Sequence, residues 1–185
     1  MIHNRGRACG PRIIGVAPHA GAAIASGGGG TYIEILAPSP VDAAEDAMIA
    51  GLADLASLTP VGWALAAADI GDVKRRADAG GVTTTQVMPG ARNLPDGSRL
   101  EWVTMGVEAP AHDWAPFFIQ WGDPALQPAR TAPRGCTLES VTLADPRPEA
   151  LRTIFAAVGF AMTVSQAEPA RMTVTLTCPK GRVEF

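Results

Sequence analysis

The chain has 185 residues, 47% of them hydrophobic and 18% charged, with a net charge of −3. That composition supports a sizeable core in one medium domain or one and a half small ones, and excludes a globally disordered chain. Acidic residues outnumber basic ones, so there is no cationic surplus to hold a phosphate backbone, and nucleic acid is not an expected partner.

Residues 1–29 are rich in Gly and Ala, and only "RIIGVA" (Arg12 to Ala17) resembles a strand. Gly27 to Gly30 read as a flexible turn; a phosphate-cradling loop would need a Gly-Lys-Ser/Thr ending and a following helix. "GTYIEILAPSP" then places a carboxylate inside a strand. Period-2 alternation puts Tyr32, Glu34 and Leu36 on one face and Ile33 and Ile35 on the other. An inward Glu34 is expected from its neighbours Tyr32 and Leu36; an outward one would simply be solvated.

Pro40 to Ser57 has helix-forming composition, with Ser39 as cap and Asp42 and Glu45 at its positive end. Ala47 to Ala68 is largely apolar, but Asp54 and Pro60 interrupt it, so no membrane span is expected. The N-terminus lacks the continuous apolar core of a signal peptide. Cys9, Cys136 and Cys178 form no CxxC and read as reduced thiols rather than a disulfide frame. A cytoplasmic location is therefore expected.

Val61 to Asp69 reads as a strand. A short helix follows, capped by Asp69, with Ile70, Val73 and Ala77 inside and Gly80 and Gly81 ending it. "VTTTQVM" (Val82 to Met88), "RLEWVTMGV" (Arg99 to Val107) and "APFFIQWGD" (Ala115 to Asp123) read as strands, and "LPDGS" as a turn. After a Pro-rich linker the order recurs. Thr137 to Asp145 is a strand, and a helix follows with Leu151, Ile154, Phe155 and Val158 inside and Gly159 after its end. "FAMTV", "RMTVTLT" and "GRVEF" are further strands.

Two β-α-β-β-β units are thus expected at 61–123 and 136–185, preceded by a degenerate unit at 1–60 that ends in the Tyr32 strand. The expected fold is α+β: tandem units forming a curled, cup-like mixed sheet with helices outside. The last strands would line the hollow, giving Glu34, Gln120 and Glu184 one common explanation. A sheet edge beside the Tyr32 strand would favour a homodimer.

The strings "GTYIEILAPSP", "VGWALAAADI", "ARNLPDGSRLEW", "PFFIQWGD" and "GRVEF" resemble the glyoxalase-like domain family of the vicinal-oxygen-chelate superfamily, which includes glyoxalases, extradiol dioxygenases and bleomycin-resistance proteins. The resemblance implies a small-molecule ligand in the cup. Metal-dependent members hold one divalent ion through first- and last-strand residues. Carried over, that offers Glu34 and the weaker ligand Gln120, with Glu184 at the third last-strand position. Val61 to Ala67 supplies no His, Asp or Glu, and His3 and His19 do not lie in confident strands. A protein without a metal is therefore the favoured expectation, with one divalent ion the other.

Glu34, or His112 in the "APAHDWAP" loop, is the candidate base. Tyr32, Trp63, Arg92, Trp102 and Gln120 are the candidate ligand-binding residues, with Trp63 and Trp102 equally readable as core and Arg92 as a solvated hairpin arm. Two functions stay open. One is isomerase, lyase or dioxygenase chemistry on a small oxygenated compound, and the other is ligand sequestration of the resistance type.

Overall fold

Local sequence rules account for the two longer helices. Ile70–Ala79 (α1) starts at Asp69, whose carboxylate accepts from the N–H groups of Gly71 (2.8 Å) and Asp72 (3.3 Å), and it buries Ile70, Val73 and Ala77. Pro148–Val158 (α3) has proline in its first turn and buries Leu151, Ile154, Phe155 and Val158. It ends at Gly159, whose φ of 74° is the left-handed conformation that favours glycine.

The computed structural model describes residues 13–17, 32–36, 57, 59–94, 96–108, 114–131 and 135–185. The helix expected at 40–57, apart from Ser57, lies outside them, as do His3, Cys9, His19 and His112. The strands are β1 (Ile13–Ala17), β2 (Tyr32–Leu36), β3 (Thr59–Ala66), β4 (Met88–Asn93), β5 (Arg99–Met105), β6 (Phe117–Trp121), β7 (Thr137–Asp145), β8 (Val164–Gln166), β9 (Arg171–Cys178) and β10 (Gly181–Glu184). A single helical turn, α2 (Pro128–Thr131), lies between β6 and β7. No helix among the described residues is long and apolar enough to cross a membrane.

The fold is α+β, with a six-stranded mixed sheet ordered β2-β1-β3-β6-β5-β4 and a four-stranded sheet ordered β10-β9-β7-β8. β1 runs antiparallel to β2 and parallel to β3, so the N-terminal pair extends the sheet of the following unit. Residues 59–121 and 137–184 share the element order β-α-β-β-β, yet their strands pair differently. In the former the first strand pairs with the last, β3 with β6; in the latter it lies between the third and second, β7 between β9 and β8.

The six-stranded sheet is curled. β2 stands three strands from β6, about 14 Å away on a flat sheet at the usual strand spacing. Yet the rings of Tyr32 and Trp121 are 6.4 Å apart, centroid to centroid. The convex face carries Trp63, Leu65, Met105 and Phe118 into a core shared with α1, α3 and β9. The concave face carries a second cluster of Tyr32, Ala64 and Ile119, with Trp102 and Trp121 against it.

Two expectations need correction. The strand after α1 is not "VTTTQVM", which contributes a bridge from Thr84 to Val107 and only its last residue, Met88, to the ladder; it is "MPGARN". β4 is an edge strand, where proline is tolerated because one side of the backbone needs no ladder partner. Cys136 and Cys178 are not free thiols but a disulfide with a Cα–Cα distance of 4.2 Å. Thr137 pairs with Thr177, which brings the adjacent cysteines face to face at the ends of β7 and β9.

Candidate functional site

Strand register assigns each candidate to a face. Arg92 pairs with Leu100, Gly90 with Trp102, Trp102 with Trp121, and Ile119 with Ala66. All of these share the concave face with Ala64, which is two residues from Ala66. On the other side of the sheet Gly15 pairs with both Glu34 and Gly62. Glu34 therefore stands at the end of a row whose next two members have no side chain. A Cβ built on Gly62 would meet nothing within 4 Å among the described residues, so there is room at the far end of that row.

Trp102 and Trp121 form one wall, their rings 5.8 Å apart and edge to face. Trp121 also packs on Tyr32 at an angle of 55°. The indole of Trp102 occupies the space a Cβ on Gly90 would need, so glycine is what lets it lie against β4.

Charge gathers at the same place. Burial pushes the Tyr32 phenol far above its ordinary range, Glu34 pushes it further, and Arg92 opposes both. Burial also raises the Glu34 carboxyl, and Arg92 again pulls the other way. β2 and β4 are the two edges of the sheet, about 24 Å apart if it were flat. That Arg92 acts on both β2 side chains is a direct consequence of the curl.

Tyr32, Glu34, Arg92 and Trp102 are thus brought together, and three other candidates are not. Trp63 lies on the convex face, 1% exposed, packed between Phe155 and Phe160 at 5.8 Å each. Its Nε1 donates to the Trp114 carbonyl at 2.8 Å, so it is a core residue. Gln120 pairs with Val103 on the convex side, and its Oε1 accepts from the Ile70 N–H at 2.8 Å, capping α1 rather than lining the cup. Glu184 sits exposed on β10, where it accepts from Thr175 and faces Arg182. The common explanation for Glu34, Gln120 and Glu184 therefore fails: one is concave, one convex, and one on the other sheet. His112 lies outside the described residues.

Sequence reasoning passed over Trp121, Ala129 and the Gly15–Gly62 row. Trp121 adjoins Gln120, so exchanging the face assigned to β6 would have found it. The partnership of Gly15 and Gly62 is set by non-local strand pairing and leaves no local signal.

A divalent ion would need several convergent donors. Among the described residues no three His, Cys, Asp or Glu side chains are grouped for one. The concave face offers the Glu34 carboxylate with the Arg92 cation beside it, which opposes a second positive charge. The described donor set does not fit a chelated metal.

Comparison with known proteins places these features in context. A family model described as a glyoxalase-like domain matches residues 15–159, which takes in all the strands of the six-stranded sheet from Gly15 onward. No curated protein matches the chain. A crystal structure of a hypothetical protein from Staphylococcus aureus is similar, at 16% identity and a TM-score of 0.45, over 66% of this chain and 50% of that one. The chain spans about half the length of that protein.

Proposed function

The chain belongs to the glyoxalase-like domain family, a small-molecule-binding fold, and from that premise we propose that its concave face binds a small oxygenated compound carrying an acidic group. The observation that supports this most is the convergence of Arg92, Glu34 and Tyr32 from opposite sheet edges onto one aromatic-walled hollow. Arg92 supplies the cation for an acid group. Trp102 and Trp121 supply an aromatic, apolar wall, and Gly62 supplies room.

Calorimetric titration with salicylate, phenylacetate and 8-anilinonaphthalene-1-sulfonate tests the proposal. At least one should bind saturably, and Arg92→Met and Trp121→Ala should each weaken it about tenfold, the equivalent of about 1.4 kcal/mol. Absence of saturable binding for all three, or binding indifferent to both substitutions, sinks the reading.

Lyase- or isomerase-type chemistry is a second reading, favoured by the state of Glu34. A carboxylate whose proton affinity is raised by burial, with a neutral phenol beside it, is suited to abstract a proton next to an oxygenated carbon. Exchange of a ligand C–H into deuterated water, lost in Glu34→Gln, would separate catalysis from sequestration. Dioxygenase chemistry has no support from the donor set described above.

A further inference from the structure

The concave cluster has one member that does not come from the sheet. Ala129, 5% exposed, belongs to α2 and clusters with Tyr32, Ala64 and Ile119, with Trp102 and Trp121 against the same group. The segment joining the two units therefore sets a methyl group down among residues of the concave face.

This strap, Asp123 to Thr131, is held by its own hydrogen bonds. Asp123 Oδ1 accepts from the Ala125 N–H at 2.8 Å, and the Asp123 carbonyl accepts from Leu126 N–H at 3.1 Å. Arg130 Nε donates to the Pro124 carbonyl at 3.0 Å and its N–H to the Gln127 carbonyl at 3.0 Å. Four such bonds, with Pro124 and Pro128 restricting the backbone, make the strap a shaped loop rather than a slack connection. Gln127, also on it, is buried.

Ala64 on β3 belongs to the same cluster, and Gly62 on β3 and Gly15 on β1, on the same face, carry no side chain. Ala129 is packed in one buried cluster with Ala64, Tyr32 and Ile119, so the bulk at position 129 bears directly on this part of the concave face. Each added methylene at that position would be felt, because closely packed surroundings do not yield freely.

We infer that the strap is the roof of the ligand site and that Ala129 is the residue that sets how bulky a ligand the cup accepts. This rests on the binding reading above and adds a specificity-determining residue to it.

The test compares a one-ring probe, salicylate, with a fused-ring probe, 8-anilinonaphthalene-1-sulfonate, by calorimetry on the full chain. Ala129→Leu should weaken the larger probe about tenfold or more while changing salicylate less than about threefold, and Ala129→Gly should tighten the larger probe. Thermal melting of both variants checks that the fold is retained, and Ala129→Val gives an intermediate step should the leucine variant fail to fold. Equal effects on both probes, or none on either, overturn the inference while Arg92→Met and Trp121→Ala still weaken binding. If those two substitutions are themselves without effect, it is the binding reading that has failed, and the role of Ala129 falls with it.

Discussion

The indole of Trp102 lies where the side chain of Gly90, its registered neighbour on β4, would otherwise project. Position 90 is thereby a determinant of the aromatic wall, although it contributes no side chain to it. Gly90→Ala should push Trp102 off its seat and disturb its edge-to-face contact with Trp121. The expected cost is about 1–3 kcal/mol of stability, typical of overpacking. Near-ultraviolet circular dichroism should change with it, since two coupled indoles are reoriented. An unchanged spectrum with unchanged stability would show that the indole is not confined by β4.

Glu34 should make stability depend on pH in a definite sense. Its folded-state affinity for a proton is raised above the ordinary value of 4.5, first by burial, with Arg92 only partly offsetting this. Between the unfolded and folded pKa values the native state binds more protons than the unfolded one, so stability falls as pH rises through that window. The penalty is absent below the unfolded value and fully present above the folded one. Urea denaturation of wild type and Glu34→Gln at a series of pH values from about 4 upward should show the wild type losing ground to the variant. Parallel curves would contradict a desolvated carboxylate at this position.

How much of this was legible in the sequence depends on the range of the interactions that decide it. The caps and inner stripes of α1 and α3 follow from residues three or four apart, and they stand where periodicity put them. β4 was misplaced because Pro89 and Gly90 oppose strand formation locally, whereas "VTTTQVM" favours it; an edge position and the close approach of Trp102 override both. For β6, alternation separates Ile119 and Trp121 from Phe118 and Gln120, and local pattern favours the wholly apolar first set for the helices; it is the cap that Gln120 makes on Ile70 that turns the second set toward them. The cysteine pair is set by how β7 aligns with β9, a contact across a sequence separation of 42. The same non-local pairing sets the glycine row and the seat of Ala129.

Gln120 provides a control on the site. With its oxygen on Ile70 N–H and the Asp69 carboxylate on the next two, three N–H groups of the first turn of α1 are satisfied. Gln120→Leu should cost about 1 kcal/mol, the ordinary value of a helix cap or a single hydrogen bond. Because the side chain points to the convex face, salicylate affinity should be unchanged. A large loss of affinity without a loss of stability would instead place Gln120 in the cup.

The disulfide should stabilise the four-stranded sheet without touching the ligand. Cys136 and Cys178 tie β7 to β9 at their ends and close a loop with a separation of 42 residues. In the chain-entropy view, a loop of that size is worth at most about 4 kcal/mol, through restriction of the unfolded state. β7 and β9 contribute Leu143, Met172, Val174 and Leu176 to the convex-side core, so loosening them weakens support behind the six-stranded sheet but leaves its concave face intact. Cys136→Ser, or treatment with dithiothreitol, should therefore lower the melting temperature while leaving the salicylate affinity of the folded protein within about twofold. Thiol titration of the unreduced, denatured chain should find Cys9 alone reactive among the three cysteines. Three reactive thiols, or a melting temperature indifferent to reduction, would show that the pair is not bonded in solution, and the sheet would then owe its stability to strand pairing and the packing of α3.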